Sequence, residues 1–271
     1  MNSKYFQVTV KPIITSQLAN FAADDLLYDW TRFEIPVGTA RLVSVSAWIQ
    51  GTDGAAANEI DADIYFAKSI DGVDPPSLGS SNAAITNTSA VRARPHMIAS
   101  ARWDATELAD LGGAFTSFNF YTGELLAGGA SAVNSKSAPI ILEGERAERT
   151  TYVAAGETVS GSTGYQTLYI AASAQGVFNF GTAMLIDNGD GYAVDFEGDI
   201  NLDGTAGTII AAPGDFLIAG NDGAHLGVVK TISDDGSHTT LTIDGGLDMG
   251  IQDGDEIVLR NPIVYVLGFE Y

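Results

Sequence analysis

Residues 28–50, YDWTRFEIPVGTARLVSVSAWIQ, decide the fold. Two runs rich in β-branched and aromatic residues meet at Pro36-Val37-Gly38, and runs of this kind bounded by turn residues read as strands. In the second run Leu42, Val43, Val45, Ala47 and Ile49 are the apolar positions. A near-alternation of that kind marks a strand with one buried face, and Trp48, lying in an apolar strand, is expected to fill core. Working outward, Phe6 to Val10 alternates. Ile60 to Ala67 sets Ile64 and Phe66 against Asp61, Asp63 and Tyr65, and Tyr165 to Ile186 is the longest alternating region.

About eight such strands over the first 186 residues, joined by long irregular connections without crossover helices, suit an antiparallel sandwich better than a parallel α/β fold. The expected class is all-β, with a jelly-roll-like β-sandwich over residues 1–186. The stretch Gly72 to Thr88, GVDPPSLGSSNAAITNT, reads as a loop. One helix is expected, from Asp104 or Thr106 in DATELADLGG, where a capping residue precedes Leu108 and Leu111 and two glycines stop the run. After Ile186 the texture changes to the turn-rich DNGDGYAVDFEGDINLDGTAG and then to tight hairpins. Residues 187–261 therefore read as a second, small β-barrel. The run 262–271 alternates strongly and is open to pairing with either domain, so the barrel either follows the sandwich or interrupts it.

The chain of 271 residues carries 34 acidic and 13 basic side chains, a net charge of −21. Such a field repels phosphate backbones and anionic lipid, so neither nucleic acid nor membrane is expected as a partner. Hydrophobic residues make up 45% and charged residues 17%, enough apolar mass for packed cores and too much for an acidic disordered tail. Zero cysteines exclude disulfides, thiolate metal sites and cysteine nucleophiles. No apolar run approaches the roughly 18 residues of a membrane helix, and MNSKYFQVTV is not read as a signal segment.

Catalysis by acid and base needs histidines or carboxylates in paired environments. Of the three histidines, His225 and His238 sit in or beside predicted turns and His96 sits in RARPHMIAS. No nucleophile elbow, phosphate loop or H-E-x-x-H is present, and the chain is read as a non-enzyme that requires no cofactor. Asp199-Ile-Asn201-Leu-Asp203-Gly204 matches the first half of a calcium loop, in which alternating oxygens converge on one cation. It resembles EF-hand and dockerin loops over six residues, with Ile210 where the bidentate carboxylate would stand. Asp199, Asn201 and Asp203 are the candidate calcium ligands, with Asp187, Asp190 and Asp195 nearby in sequence. Arg92, Arg94 and Arg102, with His96 and later Arg146 and Arg149, form the local excess of positive charge, a candidate interface for an acidic neighbouring subunit. Trp30, Trp48, Trp103, Tyr165 and Tyr169 are candidates for a sugar-stacking platform.

The phrases Gly214-Asp215-Phe-Leu-Ile, Leu226-Gly227-Val-Val-Lys-Thr-Ile232, Thr239-Thr-Leu-Thr-Ile243 and Gly254-Asp255-Glu-Ile-Val258 resemble a small barrel module of structural proteins of tailed bacteriophages. Asp234-Asp235-Gly236 between two β-branched runs is independently a hairpin signal. The resemblance covers the last quarter of the chain and implies a virion part: a capsid decoration or cement protein on the capsid surface, oligomeric, with a trimer favoured, and bridging major capsid protein subunits. Phe6 to Val10 and Ile263 to Phe269 are expected as pairing edges between subunits. The rival expectation is a glycan-binding, receptor-recognition module of a phage appendage.

Overall fold

The computed structural model describes residues 4–50, 61–103, 108–110, 115–121, 140–153, 157–180, 183–204, 210–220 and 223–271. In chain order the elements are β1 (Tyr5–Val10), β2 (Leu26–Pro36), β3 (Ala40–Gln50), β4 (Ala62–Lys68), α1 (Asn87–Ala93), β5 (Met97–Trp103), β6 (Leu108–Asp110), β7 (Phe115–Tyr121), β8 (Ile140–Leu142) and β9 (Glu145–Val153). They continue with β10 (Glu157–Ala174), β11 (Met184–Leu185), β12 (Gly198–Asp203), β13 (Phe216–Ala219), β14 (His225–Asp234), β15 (His238–Asp244), β16 (Glu256–Leu259) and β17 (Ile263–Glu270). The protein is all-β, and every strand pairing within its three sheets is antiparallel.

Two of the sheets make the sandwich. The first runs β1-β17-β3-β7-β6, with β8 beside β7 on β3; the second runs β2-β10-β4-β5, with β9 on β10. Set aside β6, β8 and β9, and eight strands remain whose pairing nests: β1 with β17, β2 with β10, β3 with β7, β4 with β5. First pairs with last, second with next to last, and so inward, which is one long antiparallel ribbon wrapped into a jelly roll. Val10, Val45, Ala47, Ile49, Tyr265, Leu267 and Phe269 of the first sheet face Tyr28, Phe33, Ile35, Ile64, Phe66, Leu168 and Ile170 of the second in one core.

The apolar pair Leu42-Val43, which breaks the alternation of β3, has a structural cause. Leu42 opposes Phe269 and Ser44 opposes Gly268, so Val43 is an extra residue without a partner, a β-bulge that returns Val45 to the core face. Gly268 stands opposite it, and a Cβ there would lie 2.3 Å from Ser44 Oγ, so Ser44 would have to take another rotamer. Trp48, on the other parity, points outward and is 39% exposed. This corrects the expectation that it fills core: its neighbours Ala47 and Ile49 are the buried ones.

The third sheet, β11-β16-β13-β14-β15-β12, closes on itself through a bridge between Ile186 and Leu202 and a hydrogen bond from Asp187 N to Asn201 O, making a six-stranded barrel. Its core holds Met184, Ile200, Leu202, Leu217, Leu226, Val229, Leu241, Ile243, Ile257 and Leu259. The β14–β15 hairpin turns at Asp234-Asp235-Gly236, where Gly236 has φ +90° and Asp235 Oδ1 accepts from the Ser237 and His238 amides. Those two amides, His238 foremost, hold the Asp235 carboxyl below its usual range. Strand β17 then runs back between β1 and β3, so the barrel occupies the connection between the seventh and eighth strands of the jelly roll. The segment joining β1 to β2 seats it. Gln17, buried, donates to the carbonyls of Ile14 and Leu259, Ile14 N donates to Arg260 O, and Gln50 donates to Ile210 O.

The helix lies elsewhere than expected. Within DATELADLGG the described residues Leu108–Asp110 are strand β6, held to β7 by tertiary pairing, and residues 104–107 and 111–114 lie outside the described ones. The helix found is α1, at the end of the stretch read as loop, with the Thr86 hydroxyl accepting from Ser89 N. Leu26, Leu78, Ala93 and Ala171, joined by Trp30, Ile85 and Met97, form a small core under it on the outer side of the second sheet.

Candidate functional site

The two outer sides of the sandwich differ. On the second sheet the excursion between β4 and β5 covers the strands; Trp30 Nε1 donates to Pro76 O and Leu78 N donates to Asp29 Oδ1. Among the described residues no comparable excursion covers the outer side of the first sheet, though Ser117 on it is buried. Tyr5, Gln7 and Thr9 of β1, Val264 and Val266 of β17, Val43, Ser44, Ser46 and Trp48 of β3 and Asn119 of β7 lie there, exposed or half-buried. The charged pair on that side is Arg41 with Glu270, 3.6 Å apart, and Glu270 also accepts from the Tyr5 hydroxyl at 3.1 Å. On a chain of net charge −21 this is, among the described residues, a broad β surface with almost no charge, carrying Ser, Thr, Val and aromatic side chains.

That sheet also has an edge. Strand β1 pairs only with β17 among the described residues. Of the two terminal runs expected as subunit edges, Phe6 to Val10 lies on an edge strand. Ile263 to Phe269 does not: it is interior, flanked on both sides, because its two backbone sides are consumed by β1 and β3. Tyr271 seals the corner next to β1 by donating N–H to Lys4 O, stacking on Phe6 with centroids 5.1 Å apart, and donating its hydroxyl to Pro36 O. Burial pushes that hydroxyl up to about 12.

The arginines divide. Arg102 on β5 is clamped by Asp63 of β4, Nε to Oδ1 at 2.6 Å and Nη2 to Oδ2 at 2.8 Å, and the bidentate bond holds its charge more firmly than usual. Arg92 and Arg94, exposed on and just after α1, form no ion pair among the described residues, and with Val91, 62% exposed, they make a small basic and apolar tip. Arg146 and Arg149 lie on β9. His96 is buried at the foot of the helix, its Nδ1 at 2.9 Å from Lys68 O, and fastens α1 to β4.

The calcium candidates lie on a strand. Asp199, Asn201 and Asp203 alternate along β12 with the buried Ile200 and Leu202, and all three face out of the barrel. Alternate residues of a strand are roughly 6.6 Å apart along its axis, and one side-chain oxygen of each of the first two accepts across the ladder: Thr242 Oγ1 donates to Asp199 Oδ1 at 2.7 Å and Thr240 Oγ1 to Asn201 Oδ1 at 3.0 Å. His238 Nε2 lies 3.0 Å from Asp187 Oδ2 at the end of the same stripe. Among the described residues no group of three or more His, Asp or Glu gathers as metal ligands would.

The aromatic candidates are dispersed. Trp30 belongs to the small core outside the second sheet, while Trp48 stands on the outer side of the first. Tyr169 is buried and donates to Asp74 Oδ1 at 2.5 Å, with Ser69 Oγ 3.2 Å away, and burial pushes its hydroxyl up. Tyr165 is exposed near Gly164, and Trp103 ends β5. His225 packs beside Phe216 with ring centroids 6.1 Å apart.

No family model and no curated protein matches the chain. Among solved structures it is similar to the VP2 subviral particle of infectious bursal disease virus, at 11% identity and a TM-score of 0.19 over 99% of this chain and 41% of that one. It is also similar to the T13 viral particle of the same virus, at 9% identity and a TM-score of 0.17 over 99% of this chain and 39% of that one. The chain spans about two fifths of the length of those chains.

Proposed function

We propose that this chain is a non-enzymatic structural protein of a virion, a decoration or cement protein that associates with itself and bridges neighbouring major capsid protein subunits on the capsid surface. The observation that carries the reading is the outer side of the β1-β17-β3-β7 sheet, an almost uncharged β surface on a strongly acidic molecule, suited to being covered by polypeptide. The nested jelly-roll pairing and the phage-like phrases of the barrel support it by analogy. Arg92 and Arg94 supply the complementary charge with which an acidic neighbour is set in register.

The test is reconstitution. Purified protein added to capsids that lack it should bind at capsomer junctions and raise their resistance to heat, and Trp48→Asp, which puts a charge on the bare surface, should abolish binding without unfolding the chain. Wild-type protein that leaves such capsids uncoated and instead binds host polysaccharide would overturn the reading in favour of receptor recognition.

A further inference from the structure

We propose that the open edge of β1 is the attachment site for a second copy of this chain, through antiparallel β1–β1 pairing about a two-fold axis at Gln7. The inference rests on the reading of the first sheet as an assembly surface and names the partner and the contact.

The backbone supplies the direction. Tyr271 N donates to Lys4 O, so Lys4 turns its backbone groups toward β17, and by antiparallel alternation Phe6 and Val8 do the same. Tyr5, Gln7 and Thr9 then turn three N–H and three C=O groups to the open side, and all three residues are exposed, Tyr5 by 70%. Natural edges of this kind are blunted by charge, proline or a bulge. Strand β1, YFQVTV, contains no charged residue and no proline and pairs with β17 without a register shift.

The sequence of the strand is self-complementary. Pairing two copies with Gln7 opposite Gln7 sets Tyr5 against Thr9 and Phe6 against Val8, all favourable cross-strand neighbours, and the two facing amides can hydrogen-bond to each other. Electrostatics favours the same place. Copies of a −21 chain repel one another, but β1 is flanked by Lys4 and Lys11 and opposed by β17, whose one charge, Glu270, is shared with Arg41. The strand and its partner therefore set two lysines against one shared acid at the contact. The contact is isologous, so it closes at two copies, in place of the trimer expected from sequence.

Sedimentation across about a hundredfold range of concentration tests the proposal. Wild-type protein should pass from monomer to dimer. Gln7→Pro removes an N–H that the β1–β17 ladder does not use and should weaken association about tenfold or more, with an unchanged monomer melt. Gln7→Lys and Gln7→Glu keep the backbone, put like charges face to face on the axis and should each weaken association, and mixing the two should restore a heterodimer. A wild-type chain that stays monomeric throughout, or association indifferent to all three substitutions, would overturn the proposal. Because this readout uses no capsid, an edge that pairs without capsid binding sinks the proposed function alone, and capsid binding by a chain indifferent at Gln7 sinks this contact alone.

Discussion

The barrel and the sandwich are both antiparallel β, yet they present opposite surfaces. The barrel closes on itself through the bridge between Ile186 and Leu202, and residues 184–259 carry fifteen acids against the single basic Lys230. Among the described residues the sandwich stays open at β1 and leaves one broad side nearly without charge, while the remaining nineteen acids of the chain are met by twelve basic residues. High net charge of one sign repels like-charged copies, whereas an open sheet edge is the kind of surface on which strands pair. On the proposed function, adhesion and repulsion are assigned to different parts of one chain.

Substitution of the two cores should separate them most strongly. Tyr265→Ala, at the centre of the sandwich against Tyr28 with ring centroids 6.0 Å apart, should cost about 3–5 kcal/mol in denaturant unfolding. Leu241→Ala in the barrel should cost about 2–5 kcal/mol, and in calorimetry it should lower a barrel transition while leaving a sandwich transition near its original temperature. A single transition moved equally by both would mean that the two cores unfold as one. Gln17→Leu probes the seam: losing its bonds to Ile14 O and Leu259 O should cost about 1–3 kcal/mol and pull the two transitions apart.

How much of this was written in the sequence depends on what sets each feature. Strand texture and the jelly-roll class were legible because burial of one face imposes a period of two on residues such as Val45, Ala47 and Ile49. The same alternation puts Trp48 on the other face, and what obscured it was the apolar pair Leu42-Val43, a bulge whose partner strand lies more than 200 positions away. The hexapeptide from Asp199 to Gly204 has the composition of a turn, but Ile200 and Leu202 between its polar residues were the sign of a strand with a wet face. Leu108 lay in a helix-like pattern overruled by pairing with β7. For the edge at β1 the usable signal was local: six uncharged residues between two lysines.

Smaller effects sharpen the contrast. Thr86→Ala should cost about 1 kcal/mol by removing the cap of α1, and the loss should appear in the sandwich transition, because Ala93 packs on the second sheet. The least is expected at Asp215. Burial raises its pKa, with the Ala212 amide and Lys11 opposing. A raised folded pKa stabilises most below the unfolded value of about 3.9 and is lost as pH rises through the folded one. Asp215→Asn should therefore raise the barrel midpoint slightly at neutral pH, and the gain should shrink as the pH is brought down toward 4, as melts over a pH series would show.

Strand β1 has its partner in β17, more than 250 residues further along. On a ribosome that distance amounts to a delay on the order of tens of seconds, during which the first strand emerges with neither side occupied, while every strand of the barrel is translated before β17 and can fold ahead of it. Strand β1 therefore waits unpaired until β17 has been made, with the strongly anionic barrel already translated ahead of it.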